Sequence, residues 1–589
     1  MFFKPNKKIG YALTLLIASF IFSSPLQAAV SKKKIPSLQK IIIVGGGHLG
    51  LIEAYSTYVE SKKTGEDIVV EIYEKNKSIQ DTTAANIWNS HTPDEIAAVV
   101  PRGQQLAEKL AIPFDKPGGI RVQDVPGAND SPSAKRFIEH VKIDGQNTLA
   151  FEKRTNALLA LGKAGMAMWK HLYQTADPQL KAVFKESNFN PCCEVAEDNK
   201  GKLHKGYRID LIYDVSDAKA HAASMMKSYQ DLGFQNCQFL SPDEVIARDP
   251  SLAKFCALHS AVDKAGKRQW KEDSMALWRP GGCLDTQTFL PKFAAYLKKV
   301  MGKYRDKNGV QKDRFQLHLN KKVTGIIYGN EEPQHVIING LNFEDGSHIN
   351  TQDINATYVF CPGEAVGTLE KLGFNEPAYA GFAGASLCLT VPVTSKQLKH
   401  FETLNHCMEV HKVGVVLAWQ ARIRDGKIFL GGAGTKAFYG DKQPTINQAF
   451  AKNRNLLQLQ MFNDVLPQVV SIALDRDTTS QNLTEKDMAY LEEKGIAKRW
   501  VGRRSVVYDG FPTLGHLYHH GKVVTNARVT THLGSGGGSF ALIASLISSC
   551  SLNPAAAQKE LSALNLSPEF VKNVLDFADS RRNAVVQEN

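Results

Sequence analysis

The stretch from Lys40 to Val44, KIIIV, followed by Gly45-Gly46-Gly47-His48-Leu49-Gly50, leaves this chain few choices of fold. An apolar run without polar alternation suits a strand buried on both faces of a parallel sheet. The glycines fall at Gly45-x-Gly47-x-x-Gly50. That spacing serves a tight turn, a close approach of backbone to pyrophosphate, and tight packing of the next helix on the sheet. The helix would offer its N-terminal amides and positive dipole end to the phosphates. A second buried strand, Ile68 to Tyr73, ends at Glu74, 24 residues beyond Gly50 and near the expected place of a ribose-binding acid. Strand, glycines, helix, strand and acid together indicate a dinucleotide cradle. Glu74 favours a free ribose hydroxyl over a 2′-phosphate and so argues against NADP, without separating FAD from NAD. His48 reads as a variable position of the turn.

The N-terminus bears on that choice. Lys4, Lys7 and Lys8 precede 14 mostly apolar residues, Ile9 to Phe22, and SPLQAAV supplies small residues for cleavage near Ala28 or Ala29. The apolar run is shorter than the roughly 20 residues a spanning helix prefers, so a cleaved export signal is the expectation and a retained anchor the alternative. An exported, periplasmic enzyme has no diffusible nicotinamide pool, whereas a tightly held flavin travels with its protein. FAD is therefore the expected cofactor.

A chain of 589 residues exceeds one compact core, and 43% hydrophobic with 22% charged residues is an ordinary globular composition. The net charge of +12, or +9 without Lys4, Lys7 and Lys8, is spread out, with no basic stripe carrying interleaved aromatics. Nucleic acid is not an expected partner; weak attraction to an anionic membrane surface is compatible with the charge. The nine cysteines form no CxxC pair and no zinc pattern. Cys192 and Cys193 would be a vicinal disulfide, pair elsewhere, or stay as thiols, the last being the plain reading. His516, His519 and His520 lack companions at metal spacing and read as a solvated loop between strands, so no metal site is expected.

Further along, helical patterns dominate 151–190. SPDEVIARDP (241–250) carries a capping box of Ser241 and Glu244 and stops at Pro250. Phe293, Tyr296, Leu297 and Val300 form a helical stripe. Strands are expected over 315–319, 322–328 and 335–343. Tyr358-Val359-Phe360 running into Cys361-Pro362-Gly363 would return the chain to the nucleotide sheet. A second β-rich region spans 376–440, helices fill 444–497, and Gly534-Ser535-Gly536-Gly537-Gly538-Ser539 precedes an apolar helix.

In this order, GGGHLG, TTAANIW, LSPDEVIARDPSL, GGCLDTQTF, VFCPGEAV, VGRRSVVYDGFPTLG and LGSGGGSFA resemble segments of FAD-dependent oxidoreductases of the D-amino-acid oxidase superfamily, especially bacterial D-amino-acid dehydrogenases. The resemblance covers roughly 38–550. It implies a mixed α/β fold, with a Rossmann-like FAD-binding domain built from discontinuous segments (36–130, 271–375 and 500–589 with C-terminal helices). A sheet-plus-helices substrate domain would take 131–270 and 376–499, after a signal peptide over 1–29.

It also implies FAD as hydride acceptor, an amino acid or amine as donor, and a quinone or oxygen as the final acceptor. Gly45, Gly46, Gly47, His48, Leu49, Gly50, Glu74 and Lys75 would hold the ADP half. Thr82, Thr83, Ala84 and Ala85 would lie near the flavin, Val323 near the adenine and Gly363 near the pyrophosphate. Gly534, Ser535, Gly536, Gly537, Gly538 and Ser539 would approach the flavin ring. Arg504 matches the family's arginine and would grip a substrate carboxylate, a structural salt bridge being the other reading. The sequence departs from the family at Ser505, where a proline is usual, at the doublet Arg503-Arg504, at Leu533 in place of a histidine, with His532 one position away, and at Ala437 in place of an acid. The substrate end therefore stays open, to a hydroxy acid or polyol, or to a flavin-binding protein without turnover.

Overall fold

Ile41 and Ile43 face one side of the first sheet, Ile42 and Val44 the other, and all four are buried. This is why the run carries no polar alternation: burying each such side chain contributes about 1.5–3 kcal/mol, and both faces of the strand have a core to enter. The computed structural model describes residues 38–86, 89–91, 132–145, 148–189, 191, 207–231, 236–306, 308–352, 354–363, 367–401, 406–412, 415–440, 445–533, 537–552, 561–562, 564 and 566–582. The signal segment, Cys192 and Cys193 lie outside them, as do the side chains of Cys407 and Ala437.

Among the described residues the first sheet has nine strands. Phe315–His318, Ile68–Tyr73, Gln39–Val44, Ala356–Phe360, Lys522–Thr531 and His335–Phe343 lie side by side and pair in parallel. Val323–Glu331, His348–Asn350 and Thr513–His519 add antiparallel partners. Helices His48–Thr64, Thr286–Met301 and Gly537–Leu552 cover one face, joined by Thr148–Thr175 and Pro178–Glu186, whose Trp169 and Phe184 share the same core. The expected stripe is there: Phe293, Tyr296 and Leu297 are buried and Val300 is partly so.

The second sheet has eight strands, in the order Ala497–Val507, Tyr379–Pro392, Lys427–Gly440, Val415–Arg424, His406–Lys412, Tyr207–Ile212, Met275–Pro280 and Gln238–Leu240. Helices Ala449–Val465, Pro467–Leu474 and Glu485–Glu493 pack on one face through Leu459, Val470 and Leu491. On the other face Phe137 of helix Pro132–Gly145 meets Phe382. The capping box forms as expected, the Ser241 N–H donating to Glu244 Oε2 at 2.7 Å and the Glu244 N–H to Ser241 Oγ at 3.3 Å.

Two expected boundaries fall inside the second sheet. Met275–Pro280 and Ala497–Val507 both belong to it, so the returns to the first sheet come after 280 and after 507 rather than at 271 and 500. The long helix Thr148–Thr175, assigned from sequence to the substrate part, packs on the nucleotide sheet's helices. An apolar stripe says that an element is buried, not which layer buries it. His516 and His519 lie within strand Thr513–His519, leaving only His520 in the turn. Among the described residues no group of three or more His, Cys, Asp or Glu could hold a metal, and no helix is long and apolar enough to cross a membrane.

Candidate functional site

At the end of strand Gln39–Val44 the chain turns through Gly45 at φ +110°, where a Cβ would stand 2.2 Å from the Cys361 carbonyl oxygen. A Cβ on Gly50 would lie 1.9 Å from the Gly45 carbonyl oxygen, so the turn and helix close on each other only without side chains. Gly47 differs. A Cβ there would meet nothing nearer than Ala84 Cβ at 3.6 Å, because this side of the turn faces an open cleft. Helix His48–Thr64 starts there with no side-chain cap and no acid in its first turn, leaving its first amides and positive end for an anion.

Glu74 is buried at the end of the neighbouring strand and fixed by two backbone donors. The Gly46 N–H reaches Oε2 at 2.7 Å and the Asn76 N–H reaches Oε1 at 2.9 Å. A carboxylate offers about four acceptor positions, so lone pairs remain for ribose hydroxyls while a 2′-phosphate would be repelled. His48 is buried edge-on to Trp169 at 5.7 Å, and burial lowers its pKa to about 4. It stays neutral at neutral pH and adds no charge beside the phosphates. His48 is thus a packed residue of the cradle.

The cleft at this turn is lined also by Lys75, Asn76, Thr82, Thr83 and Ala84, by Cys361-Pro362-Gly363, and by Arg503, Arg504, Ser505, Thr531, His532, Leu533 and Gly538. Gly45, Gly47, His48, Leu49, Gly50 and Glu74 line it as well. The structure therefore brings together most of the residues named from sequence. Ala85 is buried in the core behind them. Val323 does not line the cleft; it packs against the cluster around Phe343, the residue it pairs with. The backbone closer to the cradle is Lys321, whose N–H donates to the Glu74 carbonyl oxygen at 2.8 Å. Gly534, Ser535 and Gly536 lie outside the described residues, as does the side chain of Ser539. Gly537 begins the apolar helix.

Trp169, 369 residues before Gly538, donates its indole N–H to the Gly538 carbonyl oxygen at 2.8 Å. One fully buried ring thus touches the His48 side of the first glycine turn and the start of helix Gly537–Leu552. Trp169→Phe keeps an aromatic ring but removes the indole N–H and part of the buried volume, so stability should fall by at least the roughly 1–3 kcal/mol of an orphaned carbonyl. A urea titration reads it, and an unchanged midpoint would mean that the bond contributes nothing.

Of three hydroxyls on the cleft wall, the sequence named Thr83 and marked Ser505 as a departure, and only Thr531 went unnoticed. Thr83 Oγ1, Ser505 Oγ and Thr531 Oγ1 are buried atoms with no hydrogen-bond partner among the described residues. Each orphan costs roughly 1–3 kcal/mol unless something fills it. Three along one cleft fit a polar ligand lying the length of it. Arg503 and Arg504 sit opposite Ala383 and Phe382 on strand Tyr379–Pro392 and project to opposite faces of the sheet. Arg503 is buried and Arg504 partly exposed, and both border the cleft. Burial with Glu53 close by raises the Cys361 thiol well above its ordinary range, so it is inert.

No family profile and no curated protein matches the sequence. Similar solved structures include glycine oxidase from Bacillus cereus, at 13% identity over 87% of this chain and 95% of that one, TM-score 0.45. Iminodiacetate oxidase from Chelativorans matches at 12% identity over 87% and 95%, TM-score 0.45. Fructosyl peptide oxidase from E. terrenum matches at 12% over 89% and 91%, TM-score 0.44. Scores below 0.5 at such identity leave the assignment to the cleft's own residues.

Proposed function

We propose that this chain is an FAD-dependent oxidoreductase that oxidises an amino acid or related amine. The observation that carries the reading is one cleft lined by a phosphate cradle, a fixed ribose-side acid, three orphaned hydroxyls and two arginines. The cradle and the acid suit the ADP half of a dinucleotide and the hydroxyls suit its polar middle and ring. FAD, when bound, would supply the hydride acceptor. The chain's own contribution is positional. Amides of the first helical turn would bind the pyrophosphate and Glu74 the ribose. Thr83, Ser505 and Thr531 would donate to ring or substrate, and an arginine would fix a substrate carboxylate so that its α-carbon faces the acceptor. Loss of hydride from that carbon leaves an imine, which water hydrolyses, and a quinone or oxygen would take the electrons onward.

The test is direct. Denatured protein should release FAD rather than FMN or NAD. Under anaerobic conditions a panel of amino acids, amines and hydroxy acids should bleach the flavin with an amine-bearing donor. Bleaching by hydroxy acids alone would move the reading to alcohol oxidation, and flavin that no donor reduces would move it to binding without turnover.

We propose separately that the protein is exported to the periplasm, on the strength of Lys4, Lys7 and Lys8 ahead of the apolar run Ile9 to Phe22. Mass spectrometry of the mature N-terminus should find it near Ala28 or Ala29; intact Met1 on membrane-bound protein would show an anchor instead.

A further inference from the structure

His532 closes strand Lys522–Thr531 in a left-handed conformation, φ +59°. A non-glycine residue holds that geometry only when its surroundings fix it. Here both ring nitrogens are engaged. Nε2 lies 3.1 Å from Glu376 Oε1 and Nδ1 lies 2.9 Å from Thr513 Oγ1. The side chains of His532 and Glu376 are each only 2% exposed. Glu376 is itself held, its Oε2 accepting the Glu370 N–H at 3.0 Å. Both residues border the cleft, but the nitrogens of the His532 ring are taken up by protein partners, whereas the Thr531 hydroxyl is buried with no partner among the described residues. Fixing the His532 ring holds the left-handed backbone that directly follows Thr531, and Thr513, which contacts that ring, pairs with Thr531 across the sheet.

We infer that Glu376, His532 and Thr513 form a positioning set that aims the Thr531 hydroxyl at the bound flavin. Glu376 lies on the crossing between Ala356–Phe360 of the first sheet and Tyr379–Pro392 of the second. The set thus ties the cleft wall to the passage between the two sheets. The carboxylate accepts the Nε2 proton, and the Thr513 hydroxyl can donate to or accept from Nδ1. The inference rests on FAD as the ligand, and it concerns the histidine one position before Leu533.

The experiment measures the FAD dissociation constant of the flavin-loaded protein and the midpoint potential of the bound flavin in wild type, Glu376→Ala, His532→Asn, Thr531→Val and the double variant Glu376→Ala/Thr531→Val. Asparagine tolerates the left-handed backbone but lacks the reach to Glu376. Glu376→Ala and His532→Asn should each weaken FAD binding about tenfold to a hundredfold and shift the potential. Adding Thr531→Val to Glu376→Ala should cost little more, because the hydroxyl is already misaimed. Full additivity, or unchanged affinity and potential in folded Glu376→Ala, overturns the inference while leaving FAD in place. Should both single variants fail to fold, Thr513→Val makes the same comparison, since it removes only one of the ring's two bonds. A wild type that takes up no FAD overturns the cofactor reading first and this set with it.

Discussion

Gly47→Val should yield a folded protein without flavin. In the protein alone a Cβ at this position meets only Ala84 Cβ at 3.6 Å, an ordinary contact, and the backbone at φ −71° and ψ −169° suits any residue. What the isopropyl group would occupy is the space through which a pyrophosphate must reach the helix amides. Overpacking of this kind costs up to about 3 kcal/mol, or some 150-fold in FAD affinity. Gly50→Ala is the contrasting variant. Its Cβ would sit 1.9 Å from the Gly45 carbonyl oxygen, so turn and helix must separate and the fold itself should suffer. Flavin absorbance per protein together with circular dichroism separates the two. A folded Gly47→Val protein with full FAD content would remove the phosphate reading of the cradle.

The contrast between these glycines marks how far the sequence could be read. The βαβ unit was legible because a strand buried on both faces must be apolar throughout and a phosphate turn must be glycine-rich. Both constraints act on consecutive residues. The return of Ala356–Phe360 beside Gln39–Val44 was legible for the same reason, with Tyr358-Val359-Phe360 running into Pro362-Gly363. Sheet membership was not. Met275–Pro280 and Ala497–Val507 carry no local mark of the layer they join, and only pairing with strands some 60 to 130 residues earlier decides. Val323 was assigned by position along the chain, whereas its contacts follow the hairpin with His335–Phe343. The Glu376–His532 pair and the Trp169–Gly538 bond join residues 156 and 369 positions apart. No local pattern announces such a pair, since a buried polar residue shows its meaning only through its partner. Ser505 carried a local signal, a hydroxyl where the resembling family has proline, and that departure coincides with an orphaned oxygen on the cleft wall.

Arg504→Ala should hold FAD and lose turnover, by about thirtyfold to several thousandfold in efficiency, the roughly 2–5 kcal/mol expected when one member of a desolvated ion pair is removed. The structure sharpens the choice between the two arginines. Arg503 is buried on the face it shares with Ala383, so its loss should register in stability. Arg504 is partly exposed; it and Arg503 both border the cleft, Arg503 on the face that strand alternation gives to Ser505. Arg504→Lys should recover only part of the loss, because an ammonium does not reproduce the planar two-pronged grip on a carboxylate. Flavin content and melting temperature in Arg503→Ala and Arg504→Ala, measured beside the kinetics, separate grip from scaffold. If only Arg503→Ala loses turnover with its flavin intact, the buried arginine is the clamp and the strand presents its other face to the substrate. If neither loses it, the substrate carries no carboxylate, and the donor is to be sought among amines and polyols.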